Sequence, residues 1–223
     1  MKSPAFIFGK CSLMIVLLTA AFLTACSDKV DESDIYTFKG ETITSYLEKS
    51  ENFTDFAYIL SRVKLSKRSE STIAQLLSAR GNYTVFAPTN DAVQHYLDSV
   101  YQTTDYDITQ IPDSVADYIA RNAIIDCEDL NAYQTTDFNV GTLERTNMDD
   151  RYITVDFDTI NGGNLATIIN NSARIVLPDI EVYNGYIHGV NQVLSLSRAT
   201  VPALIESADN LRIFNELLRR TGW

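Results

Sequence analysis

The sequence has 223 residues, 45% hydrophobic and 21% charged, which is typical of a globular protein with one sizeable domain or two small ones. Asp and Glu number 29 against 18 Lys and Arg, giving a net charge of −11. This excess of acid argues against binding to nucleic-acid phosphates and against electrostatic attachment to an anionic membrane surface.

The N-terminus has the features of a secretion signal. Residues 13–23, LMIVLLTAAFL, form an apolar run too short to span a bilayer. The LTAC stretch that ends at Cys26 resembles the lipobox of bacterial lipoproteins, which implies lipidation of Cys26; an ordinary signal peptide with an incidental cysteine is the alternative. With Cys11 inside the signal, only Cys127 is left, so no disulfide framework or cysteine-based metal site is expected.

A polar tether is expected to follow the signal. We assign residues 1–25 to the signal peptide and residues 26–39 to the tether, whose acidic SDKVDESD stretch is solvated. This stretch resembles the acidic segments that send Bacteroidetes lipoproteins to the cell surface. We therefore expect a surface-exposed outer-membrane lipoprotein of the cell envelope, held to the membrane by its N-terminal acyl anchor only.

Helical periodicity dominates the first part of the mature chain. Apolar spacing over residues 42–63 predicts two helices with a break at SEN, where Ser50 or Asn52 caps the second. Residues 72–80 predict a short helix that stops at Gly81.

The first predicted strand is YTVFA at residues 83–87, which Pro88 ends. Thr89 or Asn90 is expected to cap the following helix, which runs to about residue 100.

The rest of the chain is predicted to contain one more helix and then strands. Asp113 or Ser114 is expected to start and cap a helix over SVADYIARNAII. After about residue 130, strands are predicted for RYITVDFD, NLATIIN and ARIVLPDIEVYNGYIHGVNQVLSLS, with a hairpin turn at NGG, residues 161–163. Helices followed by strands indicate an α+β fold.

Two of these stretches resemble the signatures of the fasciclin domain. YTVFAPTNDAV at 83–93 is similar to the first signature, and NGYIHGVNQVL at 184–194 is similar to the second. The resemblance covers residues 40–198 and implies a β-wedge or sandwich core flanked by helices. The signature positions are Phe86, Ala87, Pro88, Thr89, Asn90, Asn184, Gly185 and His188.

The signature residues also have structural explanations. Asn184-Gly185 predicts a tight turn with positive φ. His188 is expected to be a satisfied core histidine, hydrogen-bonded near the turn at Thr89 and Asn90; a ligand or catalytic role is the alternative.

The sequence departs from the family at one functional motif. Many animal fasciclin domains carry a Tyr-His pair associated with integrin adhesion, and Asn122 and Ala123 occupy those positions here. Integrin-type adhesion is therefore not expected of this chain.

The C-terminal segment repeats the start of the domain. Residues 42–65 align without a gap on residues 200–223, with identities at Thr42/Thr200, Glu48/Glu206, Asn52/Asn210, Phe56/Phe214, Leu60/Leu218 and Arg62/Arg220. Residues 199–223 are therefore interpreted as the opening helices of a second, incomplete fasciclin domain. In that position Leu211, Phe214 and Leu218 are expected to be partly exposed.

The sequence offers little catalytic chemistry. Two histidines, His95 and His188, do not suffice for a histidine metal cluster, and no cofactor or metal site is expected. The acid-rich loop at 103–107 is read as solvated rather than as a calcium site. Three Asp-Ser/Thr-aliphatic sequences resemble Bacteroidetes O-glycosylation motifs, which makes candidate acceptors of Ser99, Ser114 and Thr159.

The function expected from these features is a non-enzymatic, lipid-anchored binding or adhesion module that recognises a glycan, peptide or protein partner. An accessory lipoprotein of an outer-membrane nutrient importer is the first alternative. A hydrolase that uses an Asp/Glu pair is an alternative of another class.

Overall fold

The computed structural model describes residues 40–160, 164–194 and 211–221. Within these ranges the α-helices are α1 (Ile43–Lys49), α2 (Thr54–Arg62), α3 (Ile73–Ser78), α4 (Asn90–Tyr101), α5 (Asp113–Asn122) and α6 (Arg212–Arg220). The strands are β1 (Tyr83–Pro88), β2 (Ile124–Asp126), β3 (Gly141–Thr146), β4 (Tyr152–Ile160), β5 (Asn164–Ile169), β6 (Ala173–Val182) and β7 (Gly185–Val190). Short 3₁₀ turns occupy Ile108–Gln110 and Thr135–Asp137.

The strands form one seven-stranded sheet that curls toward a barrel, in the order β2-β1-β7-β6-β5-β4-β3. β1 and β7 are parallel, with pairs from Tyr83↔Gly185 to Pro88↔Val190, whereas the other described pairs are antiparallel. The two signature motifs, far apart in the sequence, therefore lie side by side as the second and third strands of the sheet.

Two apolar cores lie on opposite sides of β1. Val85 and Ala87 face a core that includes Phe53, Phe56, Ile59 and Leu60 from the helices. Phe86 faces a second core with Ile125, Cys127, Phe138 and Ile153. Because β1 is buried on both faces, its sequence is apolar apart from Thr84 and does not alternate. Helices packed on a mixed sheet confirm the α+β prediction.

The helix predicted over SVADYIARNAII is too long. α5 ends at Asn122, and Ile124–Asp126 form strand β2 at the edge of the sheet. The Phe86 N–H donates to the Ala123 carbonyl over 2.8 Å, and β2 then pairs with β1. Pairing with a distant strand therefore overrides the local helical pattern.

Two other local predictions also require correction. α3 ends at Ser78 with Ala79 at its C-cap, so Gly81 does not stop it directly. Gly81 is instead needed because a Cβ there would lie 2.1 Å from the Tyr83 ring. Strand β3 was not predicted, since only Leu143 is buried along it.

Helix α6 exposes much of its apolar surface. Leu211 is 38% exposed and Phe214 50% exposed, and Leu218 is half-buried, as expected from the repeat. The predicted signal, the tether and the NGG turn lie outside the described residues. Among the helices of the described ranges, none has both the length and the apolar character needed to cross a bilayer.

Candidate functional site

The first signature motif ties two helices to strand β1. The Thr89 hydroxyl accepts a hydrogen bond from the Ala92 N–H at 3.3 Å and caps α4. Asn90 caps α2 from a distance: its Oδ1 accepts from the Asp55 N–H at 3.1 Å, and its Nδ2 donates to the Glu51 carbonyl at 2.8 Å. The N-cap residue of α2, Phe53, has no side chain for this purpose.

The prediction that Ser50 or Asn52 caps α2 is therefore wrong. The capping oxygen belongs to Asn90, which follows β1, and the sequence of the SEN segment could not indicate this distant residue. Thr89 is the cap of α4, which was one of the two residues expected.

The second signature motif begins with Asn184, whose buried side chain forms three hydrogen bonds to other segments. The Asn184 Oδ1 accepts from the Ile43 N–H at 3.0 Å, and its Nδ2 donates to the carbonyls of Leu77 (2.8 Å) and Ala79 (2.9 Å). One amide thus joins the start of α1, the end of α3 and the β6–β7 turn. Gly185 has the positive φ predicted for it, +145°, and a Cβ there would lie 1.8 Å from a backbone oxygen.

His188 is fully buried, and both ring nitrogens have hydrogen-bond partners, as expected of a core histidine. Its Nδ1 accepts from the Asp179 N–H at 3.2 Å, and its Nε2 donates to the Tyr133 carbonyl at 2.9 Å. Burial lowers the pKa of His188, which keeps the ring neutral. The expected partners at residues 89–90 are wrong, because His188 is level with Phe86, inside the strand pair.

The stretch that replaces the Tyr-His pair is structural. Asn122 is fully buried, donates to the Tyr118 carbonyl at 2.8 Å and accepts from Asn147 at 3.1 Å. Ala123 is buried as well. Neither residue presents a group to a partner protein.

The acid-rich loop at 103–107 is held by Asp98 at the end of α4 and by Asp107. Asp98 accepts from the N–H groups of Tyr106 (2.9 Å) and Asp105 (3.2 Å), and these bonds lower its pKa. Asp107 accepts from the N–H and hydroxyl of Thr109. Over the described ranges, no three His, Cys, Asp or Glu residues are grouped as metal ligands.

The candidate O-glycosylation acceptors Ser99, Ser114 and Thr159 are all exposed. Their modification stays a prediction. The expected capping role of Asp113 or Ser114 is wrong, because the N-cap position of α5 is Pro112 and no side chain caps that helix. Asp113 instead forms an ion pair with Arg62.

A surface cavity of about 520 Å³ lies between the end of α2, the loop at 64–72 and α5. We call it the α2–α5 cavity. Its charged lining consists of four cations and two carboxylates, namely Arg62, Lys64, Lys67, Arg121, Asp113 and Asp117. Sequence reasoning missed this cluster, because these residues come from two helices and a loop and share no local pattern.

The two arginines of the α2–α5 cavity are held by backbone carbonyls. Arg121 donates from Nη2 to Lys64 O at 2.8 Å and Leu65 O at 3.1 Å, and from Nε to Asp117 at 2.8 Å. Arg62 donates to the Thr109 carbonyl at 3.3 Å. Their side chains are only 19% and 29% exposed, respectively, so both guanidinium groups are fixed before any ligand arrives.

This curled sheet, its flanking helices and the structural use of both signature motifs define a fasciclin-type fold. A model of the fasciclin domain family matches residues 51–196, more than half of the chain, and the chain belongs to that family. Fasciclin domains are associated with cell adhesion and binding rather than with catalysis.

Among solved structures, the chain is similar to a FAS1 domain pair from the insect cell adhesion molecule Fasciclin I. The sequence identity is 16% and the TM-score 0.40, and the similarity covers 62% of this chain and 45% of that one. The chain thus corresponds to less than half the length of that domain pair. No curated protein matches the sequence.

Proposed function

We propose that this protein is a lipid-anchored binding or adhesion module of the bacterial cell envelope. The proposal rests on one observation. The signature residues of this fasciclin domain have structural roles, whereas a cavity with charged, prepositioned side chains is open at the surface. His188 and Asn184 are buried with their hydrogen bonds satisfied, so they support the scaffold rather than act on a substrate.

The membrane anchor is proposed to be the acylated Cys26, which lies outside the described residues. The support is the LTAC motif directly after an apolar run of signal-core length. In cells that express the whole chain, wild type should fractionate with the outer membrane, and Cys26→Ala should be released or retained as unprocessed precursor. A Cys127→Ala variant is the matched control, because Cys127 is buried in the fold. Processed Cys26→Ala protein that stays on the outer membrane would contradict the anchor.

Binding itself is tested with intact cells and the purified chain on arrays of glycans and peptides. A binding module is supported if intact cells and the purified chain are both retained on the same array spots, and if cells that lack the gene are not retained. Failure of both preparations to bind anything on the arrays counts against it. A porin-like protein that co-purifies in equal amount from membranes would instead assign the chain to an importer.

We also propose that residues 199–223 open a second fasciclin domain. The gapless repeat carries Thr54–Arg62 onto Arg212–Arg220, and these ranges are the bounds of α2 and α6 in the structure. The counterpart of Phe214, Phe56, is fully buried in the first domain, whereas Phe214 is half-exposed. Helix α6 therefore has the face of a core helix without the core contacts that α2 makes.

A further inference from the structure

The α2–α5 cavity is a cationic site in an acidic protein. Four of the 18 Lys and Arg residues of the chain line it, in a molecule whose net charge is −11. Its lining also includes the apolar side chains of Val63 and Ala116, both buried. Cavities of a few hundred Å³ with an apolar base and a few fixed polar groups are typical of small-ligand sites.

The arginines offer donors to an anion without further ordering. Arg121 is fixed by two carbonyls and Asp117, and Arg62 lies over the Tyr58 ring with its Cζ 5.9 Å from the ring centroid. Among the hydrogen bonds of the described residues, none uses Nη1 of Arg121 or Nε of Arg62. Fixed guanidinium groups lose little entropy when a carboxylate binds.

A ligand carboxylate would replace Asp113 as the ion-pair partner of Arg62. Asp113 pairs with Arg62 at 2.7 Å, yet its side chain is 90% exposed, and such exposed pairs contribute little stability. Lys67 lies on the loop at 64–72, which the Lys64↔Thr72 bridge closes. Its ammonium group has no ion-pair partner in the part of the chain that the structure describes. A ligand carboxylate therefore meets one open cation and one weakly held ion pair.

The remaining lining groups favour a sugar over an acidic peptide. Asp117 accepts from Arg121 through Oδ1, which leaves Oδ2 for further donors, and the hydroxyls of Ser66 and Ser114 can donate or accept. The vicinal hydroxyls of a sugar ring supply those donors. A run of Asp or Glu in a peptide supplies further negative charge instead and is repelled by the two carboxylates.

We propose that the α2–α5 cavity binds a sugar ring that carries a carboxylate, the chemistry shared by uronic and sialic acids. The carboxylate displaces Asp113 from Arg62 and pairs with Arg62 and Lys67, and the ring hydroxyls donate to Asp117. This assignment rests on the proposed binding function and narrows its ligand class.

The test is calorimetric titration of the purified full chain with glucuronic acid and N-acetylneuraminic acid. The two acids separate a uronate site from a sialate site. Methyl glucuronate ester and glucose are the uncharged controls, and tetraglutamate represents an acidic peptide. We expect at least one acid to bind, with the uncharged sugars weaker by about tenfold, which corresponds to the loss of one charge-assisted contact.

Two exposed substitutions should act in opposite directions. Lys67→Gln removes an attractive charge and should weaken binding about two- to fivefold, whereas Asp113→Asn removes the competing carboxylate and should strengthen it by a similar factor. Asp129→Asn is the matched control, because Asp129 is another exposed acid paired with an arginine, Arg145. It should leave the affinity unchanged. Circular dichroism checks that each variant is folded.

Three results would overturn the assignment. These are no binding of either acid, equal binding of the methyl ester, and weaker binding by Asp113→Asn. Binding of tetraglutamate without binding of either sugar acid would show a peptide site instead. Any of these results can occur while the array experiment still detects a partner, so the ligand class can fail separately from the binding function.

Discussion

Because the imidazole of His188 is buried, the free energy of unfolding should depend on pH. Burial lowers the pKa of the folded state, although the Tyr133 carbonyl and the Asp179 carboxylate oppose that shift. The unfolded chain therefore binds a proton at a higher pH than the folded chain does. The free energy of unfolding should be highest above the unfolded pKa of about 6.5 and should decline as the pH falls below it toward the folded pKa.

Urea denaturation between about pH 7.5 and pH 5 measures this effect, since most carboxylates stay ionised in that range. We expect His188→Asn, which keeps an acceptor for the Asp179 N–H, to be less stable but to show a flatter pH dependence. His95→Gln is the control, because His95 is exposed and should leave the slope intact. An unchanged slope in His188→Asn would exclude His188 as its source.

Asn90 stabilises a helix to which it does not belong. Asn90→Ala removes the acceptor for the Asp55 N–H and the donors to Glu51 and Thr54, so it should lower the free energy of unfolding by about 1–2 kcal/mol. Asn139→Ala, at an exposed asparagine, should change it by less than about 0.5 kcal/mol. Equal losses in urea denaturation would argue against a capping role.

At the scale of elements, α2 and α6 are matched helices in different surroundings. Phe56→Ala should lower the free energy of unfolding of the fasciclin domain by about 3–5 kcal/mol, because Phe56 is fully buried. Phe214→Ala should lower it by less than about 0.5 kcal/mol, since Phe214 is half-exposed. Urea denaturation of both variants tests this, and a large loss for Phe214→Ala would show that α6 belongs to the first core.

Local patterns predicted the elements that bury one clear face. The apolar spacing of α2 and the β-branched run of β1 determine their own secondary structure. Strand β2 could not be predicted, because Ile124 and Ile125 suit a helix equally well until they pair with β1. The capping role of Asn90, the partners of His188 and the charged cavity depend on residues brought together only by the complete fold.

At the scale of the whole molecule, the predicted O-glycosylation and the proposed sugar binding involve the same residue. Ser114 is a candidate O-glycosylation acceptor and also lines the α2–α5 cavity. A glycan on Ser114 should block sugar binding, whereas a glycan on Ser99, which is not part of the lining, should not. Mass spectrometry of protein from its native host, followed by titration of modified and unmodified forms, checks this. Full binding by protein modified at Ser114 would rule out steric exclusion.

The parallel pair of β1 and β7 also bears on how the chain folds. Strand β1 is buried on both faces, and its neighbour β7 follows about one hundred residues later, so the β1–β7 ladder closes through contacts of high contact order. While the chain is being made, β1 can pair with β2, but its pairing with β7 must wait until nearly the whole domain has emerged. Until then, the edge of β1 that β7 will cover stays unpaired and aggregation-prone, which favours handling by chaperones before β7 arrives.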